Sequence, residues 1–223
     1  MLQRNMFLHY FRLKNLNISE MILNFQPVFA EEKNVDFKME KLTIDKIDIF
    51  FDYFERIGFT DHIDFSMCYC LESHISEKED ETLDTKEKRQ RKVIELINEN
   101  RLSGYLIYAN QNLIGWCNAD DKTNYEPIVL NEEYQTIDLA AKHVMVIYCI
   151  EIAPNFRGKG LSHLIVETIC DIAQNEAFEF IEAYPFKDKS FAYQYHGPMH
   201  LYEQHRFKMI AEKSYFYIMQ RKL

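Results

Sequence analysis

The sequence predicts an α/β protein built on one central sheet, and three stretches carry that reading. His143 to Ile152 (HVMVIYCIEI) is apolar on both alternating faces, as a central strand covered on both sides must be. Arg157-Gly158-Lys159-Gly160 follows closely and leads into a segment with helical periodicity, so two glycines stand at a strand-to-helix transition. Upstream, Tyr105–Tyr108 and Leu113–Cys117 are strand-like runs joined by Ala109-Asn110-Gln111-Asn112, the pattern of a β-hairpin.

The remaining elements are read in chain order. Residues 1–38 follow neither the helical nor the strand period and are taken as an N-terminal extension whose order the pattern leaves open; residues 39–223 form the folded domain. Met39 is an alternative start, because a strand-then-helix opening fits directly after it. Thr43 is the expected N-cap of a first helix, in which Ile44, Ile47, Phe50, Phe51, Phe54 and Ile57 recur at helical spacing until Gly58. Ser76 to Arg91 is almost wholly charged and reads as a solvated loop and helix face, with a buried face only from Val93 onward. Residues 121–140 are a polar connector, and Pro154 ends the central strand. Leu161, Leu164, Ile165, Thr168, Ile169, Ile172 and Ala173 then mark the buried face of the helix that follows the glycines. Phe180–Tyr184 is a further strand stopped by Pro185, Gly197-Pro198 opens a short helix, and Phe207–Ile210 and Tyr215–Met219 close the sheet.

Composition narrows the function classes. Hydrophobic residues make up 47% and charged residues 27% of the 223-residue chain, with 17 Phe and 14 Tyr, which suits one globular core. The formal net charge of −9 and the lack of a basic stripe argue against a nucleic-acid platform, since phosphate neutralisation needs clustered Lys and Arg. The apolar stretch Met6–Phe11 is cut short by Arg12 and Lys14, and no run approaches the roughly 20 apolar residues of a membrane span. Five cysteines, an odd number, lie mostly in apolar segments, as buried free thiols do, and the natural reading is a soluble cytoplasmic protein. The 14% aromatic content leaves room for a homodimer interface.

The glycine loop is the stretch with chemistry in it. Glycines let a backbone approach a phosphate without an intervening side chain, the first turn of a helix offers unpaired N–H groups, and Arg157 and Lys159 add positive charge. Neither the dinucleotide pattern G-x-G-x-x-G nor the P-loop G-x-x-x-x-G-K-[ST] is present.

The run Ile152-Ala153-Pro154-Asn155-Phe156-Arg157-Gly158-Lys159-Gly160-Leu161 resembles the acetyl-CoA-binding segment V-x-P-x-[YF]-R-G-x-G-[IL] of the GNAT N-acetyltransferase superfamily. Leu201-Tyr202-Glu203-Gln204-His205-Arg206-Phe207 is similar to the family's L-Y-E-x-x-G-F segment, with Arg206 in place of the usual Gly. The resemblance covers about residues 39–223. It implies an α/β (α+β) GNAT fold with a central mixed, mostly antiparallel sheet flanked by helices, acetyl-CoA as cosubstrate and an amine as acceptor. It further implies that the backbone of Ile150, Glu151 and Ile152 holds the thioester and pantetheine arm, and that Arg157, Gly158, Lys159, Gly160, Leu161 and Ser162 hold the pyrophosphate.

Tyr202 is then the candidate general acid, because a departing thiolate benefits from a proton donor within hydrogen-bond reach. Glu151, the acidic residue of a buried-looking strand, is the candidate general base, with His143 and His196 as rivals, and His196 and His200 are candidates to line the acceptor site. Cys68 and Cys70 have no second Cys or His pair at zinc-finger spacing, and no metal is expected. Two other readings compete with the N-acetyltransferase: a catalytically weak acyl-CoA-binding or protein-interaction module on the same fold, and an unrelated phosphate-binding α/β protein. The acceptor pocket is expected from the least patterned segments, 58–90, 121–140 and 186–198.

Overall fold

The computed structural model describes residues 36–135, 143–188 and 195–223. The N-terminal extension up to residue 35, part of the polar connector and part of the 186–198 segment lie outside the described residues.

The chain opens with β1 (Phe37–Lys41), in which Met39 is the middle residue. Thr43 stands at the helix start with extended backbone but makes no side-chain cap; a 3-10 turn, Ile44–Lys46, precedes helix α1 (Ile47–Asp52), which widens into a π turn over Tyr53–Gly58. Two further 3-10 turns, Ile63–Phe65 and Leu71–Ser73, lead to α2 (Glu77–Asp80) and α3 (Lys86–Asn98). The hairpin follows as β2 (Tyr105–Ala109) and β3 (Asn112–Asp121), then a short α4 (Glu126–Leu130) and the long central strand β4 (Val144–Ile152). The chain finishes with α5 (Leu161–Asn175), β5 (Phe180–Ala183), α6 (Met199–Gln204), β6 (Lys208–Glu212) and β7 (Tyr217–Lys222). The seven described strands form one sheet in the order β1-β2-β3-β4-β5-β7-β6. Every neighbouring pair is antiparallel except β4 with β5, so the sheet is mixed and mostly antiparallel.

Local chemistry accounts for the shape of these elements. Asn110 and Gln111 both take positive φ (48° and 66°), which a two-residue hairpin turn requires and Asn tolerates. β3 and β4 lose register at Asn118/Ala119: Asn118 faces Cys149 while Ala119 faces Ile147, so Tyr148 is an extra residue that bulges out of β4. The core beneath α1 is aromatic. Trp116, fully buried, lies edge-on to Phe50 at 4.8 Å and donates its Nε1–H to Cys70 Sγ at 3.3 Å.

Three features depart from the sequence reading. The charged run is not wholly solvated: Arg89 is buried, pairs with buried Asp80 at 2.8 Å and also donates to the carbonyls of Met67 (2.6 Å) and Cys68 (3.3 Å). Those two carbonyls precede Tyr69 and Cys70, both at positive φ, so the guanidinium grips the loop where its backbone is least favourable. Helix α5 is rotated relative to expectation, its buried face running 161/165/169/173 with Val166 and Cys170 beside it and Leu164 exposed. Arg206, which replaces a family glycine, takes φ 67°. Around it the end of α6 closes as a Schellman motif: Arg206 N–H bonds to Glu203 O (3.1 Å), Phe207 N–H to Tyr202 O (3.1 Å), and the Phe207 ring packs on Tyr202 at 5.4 Å.

The non-glycine residue at that left-handed position costs about 1–2 kcal/mol. Arg206→Gly is therefore expected to stabilise the protein by about 1 kcal/mol, once the greater freedom of glycine in the unfolded chain is subtracted. Urea unfolding would read this as a higher midpoint at unchanged slope.

Candidate active site

The candidate site forms where β4 leaves its neighbour. β4 pairs with β5 only from Val144↔Phe180 to Ile147↔Ala183, yet β4 continues to Ile152. Beyond Ile147 the two strands part, at the Tyr148 bulge. Main-chain groups of β4 freed in this way need other partners. Ile150 N–H donates to Tyr195 O at 2.6 Å, and Ile152 O accepts from Arg157 Nε at 2.5 Å.

Beyond Ile152, a 3-10 turn at Pro154–Phe156 delivers the chain to the glycines. Gly158 and Gly160 both lie in the left-handed region, at φ 74° and 77°, where a side chain would be strained. A Cβ at either would meet nothing within 4 Å, so the loop faces open space and the residue type is dictated by backbone conformation. Gly160 is the N-cap of α5 and supplies no side-chain bond, which leaves the first turn of a 15-residue helix without a side-chain cap. Lys159 is exposed, its ammonium 5.3 Å from the centre of the Phe156 ring. Leu161 is buried and Ser162 half-buried at the helix start.

Arg157 and Glu151 are brought together. The guanidinium contacts Glu151 Oε1 at 3.0 Å, Asp61 Oδ2 at 2.6 Å and Gly58 O at 3.4 Å. It therefore points back into the protein, where the expectation had it on the pyrophosphate. Glu151 has no solvent exposure, and its second oxygen accepts from Tyr53 Oη. Gly58 is required beside it, because a Cβ there would come within 2.7 Å of Glu151 Oε2 and 2.8 Å of the Tyr53 ring. Burial pushes the Glu151 carboxyl up to about 8, and Arg157 offsets that without overcoming it.

Tyr202 is fully buried on α6, and its hydroxyl donates to His196 O at 2.6 Å. Burial holds its phenol well above the ordinary value, so it keeps its proton at any physiological pH. His196 is buried and adjoins the Tyr148 bulge, its ring edge-on to the Tyr148 ring at 4.7 Å. His143 lies at the far end of β4, against Asp121 and Phe178, and exposed His200 starts α6; neither is at the parting of the strands. Cys68 and Cys70 are free thiols, Cys70 N–H donating to Cys68 Sγ at 3.2 Å. Among the described residues no group of three or more His, Cys, Asp or Glu side chains is arranged to hold a metal ion, and no helix is long and apolar enough to cross a membrane.

With this geometry in place, the profile described as "Acetyltransferase (GNAT) family" matches residues 66–205, more than half of the chain. The chain belongs to the GNAT acetyltransferase family. Solved structures share the fold at low identity. An uncharacterized protein from Bacillus halodurans superposes with a TM-score of 0.54 at 12% identity, covering 83% of each chain. The aminoglycoside acetyltransferase AAC(6')-Ib in complex with coenzyme A gives 0.53 at 14%, covering 83% of this chain and 94% of its own. A GNAT acetyltransferase from Listeria monocytogenes gives 0.52 at 14%, covering 84% and 95%. No curated protein matches the sequence.

Within this GNAT domain the sequence reading missed Tyr53, Gly58 and Asp61 as companions of Glu151 and Arg157. The available signal was indirect: an acidic residue in a buried strand needs donors, and the helix that ends at Gly58 carries one.

Because the folded carboxyl of Glu151 titrates near 8 and an unfolded one near the ordinary 4.5, the native state holds the extra proton between those values. Stability from this group is thus full below about pH 4.5 and lost as pH rises towards about 8. Glu151→Gln should remove that dependence, so its melting temperature relative to wild type should climb steadily from pH 5 to pH 8. A constant difference across that range would refute the assignment.

Proposed function

We propose that this GNAT protein transfers an acetyl group from acetyl-CoA to a primary amine at the parting of β4 and β5. The observation that carries the reading is the conjunction of a bulged strand leaving its partner with a loop of two left-handed glycines that ends on a helix start lacking a side-chain cap. A helix start of this kind attracts anions through its free N–H groups and dipole, and the open space in front of Gly158 and Gly160 suits a pyrophosphate. Coenzyme A bound to AAC(6')-Ib, which has the same fold, supports that cosubstrate.

In this reading the amine nitrogen attacks the thioester carbonyl, a C–N bond forms and the C–S bond breaks. Tyr202 gives its proton to the departing thiolate, and the proton shed by the nitrogen restores the phenol. Burial keeps the phenol in the protonated form that a donor needs, and its bond to the His196 carbonyl fixes the side chain. Glu151 has both oxygens engaged, and we assign it to holding the loop through Arg157 in preference to the general-base role. Lys159, exposed beside the loop, supplies positive charge to the phosphates.

Thermal unfolding tests the reading. Acetyl-CoA at 100 times its dissociation constant should stabilise the protein by about 2.7 kcal/mol, with ATP giving no comparable shift, and Gly160→Val should abolish the effect. Tyr202→Phe should keep the shift but lower the rate of amine acetylation by about 10²-fold or more. An unchanged rate would remove the role of Tyr202 and favour a binding module that does not turn over; no shift with acetyl-CoA would sink the acyltransferase reading itself.

A further inference from the structure

Among the described residues, three buried side-chain polar atoms have no hydrogen-bond partner: Ser103 Oγ, Tyr195 Oη and His196 Nδ1. Two of the three belong to adjacent residues. A buried polar atom without a partner is destabilising, so two on one turn call for an explanation outside the protein's own bonding.

The turn that carries them is fixed in place. Tyr195 O accepts from Ile150 N–H, the His196 ring is bonded to the main chain of Tyr148, and His196 O accepts from Tyr202 Oη. Gly197 takes φ 70°, and a Cβ there would stand 3.0 Å from the Tyr202 hydroxyl. Each anchor lies on the part of β4 that β5 no longer pairs or on the proposed proton donor. Burial lowers the His196 pKa to about 4 and keeps the ring neutral. With its proton on the nitrogen that serves Tyr148, the neutral ring presents a lone pair at Nδ1.

The packing around both rings is aromatic, with the charges of Glu151, Arg157 and Asp61 acting on the Tyr195 hydroxyl. The Tyr195 ring lies edge-on to Phe59 at 5.4 Å and to Phe65 at 5.7 Å, and the His196 ring edge-on to Tyr148 at 4.7 Å and Phe186 at 4.4 Å. Rings so arranged favour another flat apolar group.

We propose that the Tyr195–His196 turn recognises the acceptor, His196 Nδ1 accepting a hydrogen bond from the nucleophilic amine, and that this amine is carried on a flat apolar body, as in an arylalkylamine. The proposal rests on the acetyltransferase reading above and adds the substrate class. The Tyr195 hydroxyl supplies a second polar contact beyond the amine.

The test compares 2-phenylethylamine with 1,4-diaminobutane as acceptors, following CoA release by chromatography. Wild type should favour 2-phenylethylamine at least tenfold in kcat/KM. Tyr195→Phe removes a hydroxyl with no partner in the free protein, so it should melt at the same or a higher temperature. It should nevertheless raise KM for 2-phenylethylamine at least fivefold, with kcat within twofold and the acetyl-CoA shift intact. His196→Asn, which keeps an acceptor near the Nδ1 position, should retain at least tenfold more activity than His196→Leu. An unchanged KM in Tyr195→Phe, a lower melting temperature in that variant, or preference for the diamine would each overturn the proposal while leaving acetyl transfer standing. If wild type binds acetyl-CoA but acetylates neither amine, calorimetric titration of 2-phenylethylamine into the CoA complex decides: binding lost in Tyr195→Phe upholds the recognition site without transfer, and no binding to wild type overturns it. Absence of any acetyl-CoA shift rejects both readings together.

Discussion

A strand in the middle of a sheet cannot leave one neighbour without finding other partners for its main chain, and β4 does so over its last five residues. The Tyr148 bulge starts the departure, and Tyr195 and Arg157 then cover positions that β5 would have filled. Everything around the candidate site follows from that requirement. The turn at Tyr195 is drawn in because Ile150 N–H needs an acceptor, and Arg157 folds back because Ile152 O needs a donor. The same strand end delivers the chain to the glycine loop, so the sheet is incomplete beside the two left-handed glycines.

Glu151 gives this arrangement a second layer. Its carboxyl is enclosed between Tyr53 at the end of α1 and Arg157 at the start of the glycine loop, and Asp61 shares the guanidinium. A carboxyl without water is costly unless donors surround it, which links three separate segments through one side chain. Gly58 belongs to the same solution, since any side chain there would collide with the acid. The helix end, the strand and the loop therefore cannot move independently.

Much of this was legible in the sequence wherever residue type alone settles the conformation. Gly158 and Gly160 announced a loop between strand and helix, Pro154 a strand end, and the unbroken apolar run 143–152 a central strand. What was not legible depends on distant partners. Tyr53 lies 98 residues from Glu151 and Asp61 lies 96 from Arg157, so nothing local tells a loop arginine to turn inward. Arg89 looked like part of a solvated run, because a buried arginine is recognisable only once the carbonyls it serves are in place. Arg206 stands where the similar family segment has glycine, and only the capping bonds reveal that it keeps a left-handed conformation.

The short β4–β5 ladder has a mechanical meaning as well. The antiparallel run β1 to β4 and the group β5, β7 and β6 share only four residue pairs along one parallel seam, against a long antiparallel register between β3 and β4. Side chains reinforce that seam, Lys122 reaching Glu182 and Ser214 reaching Glu133, and a ligand lodged where the strands part would add a further tie.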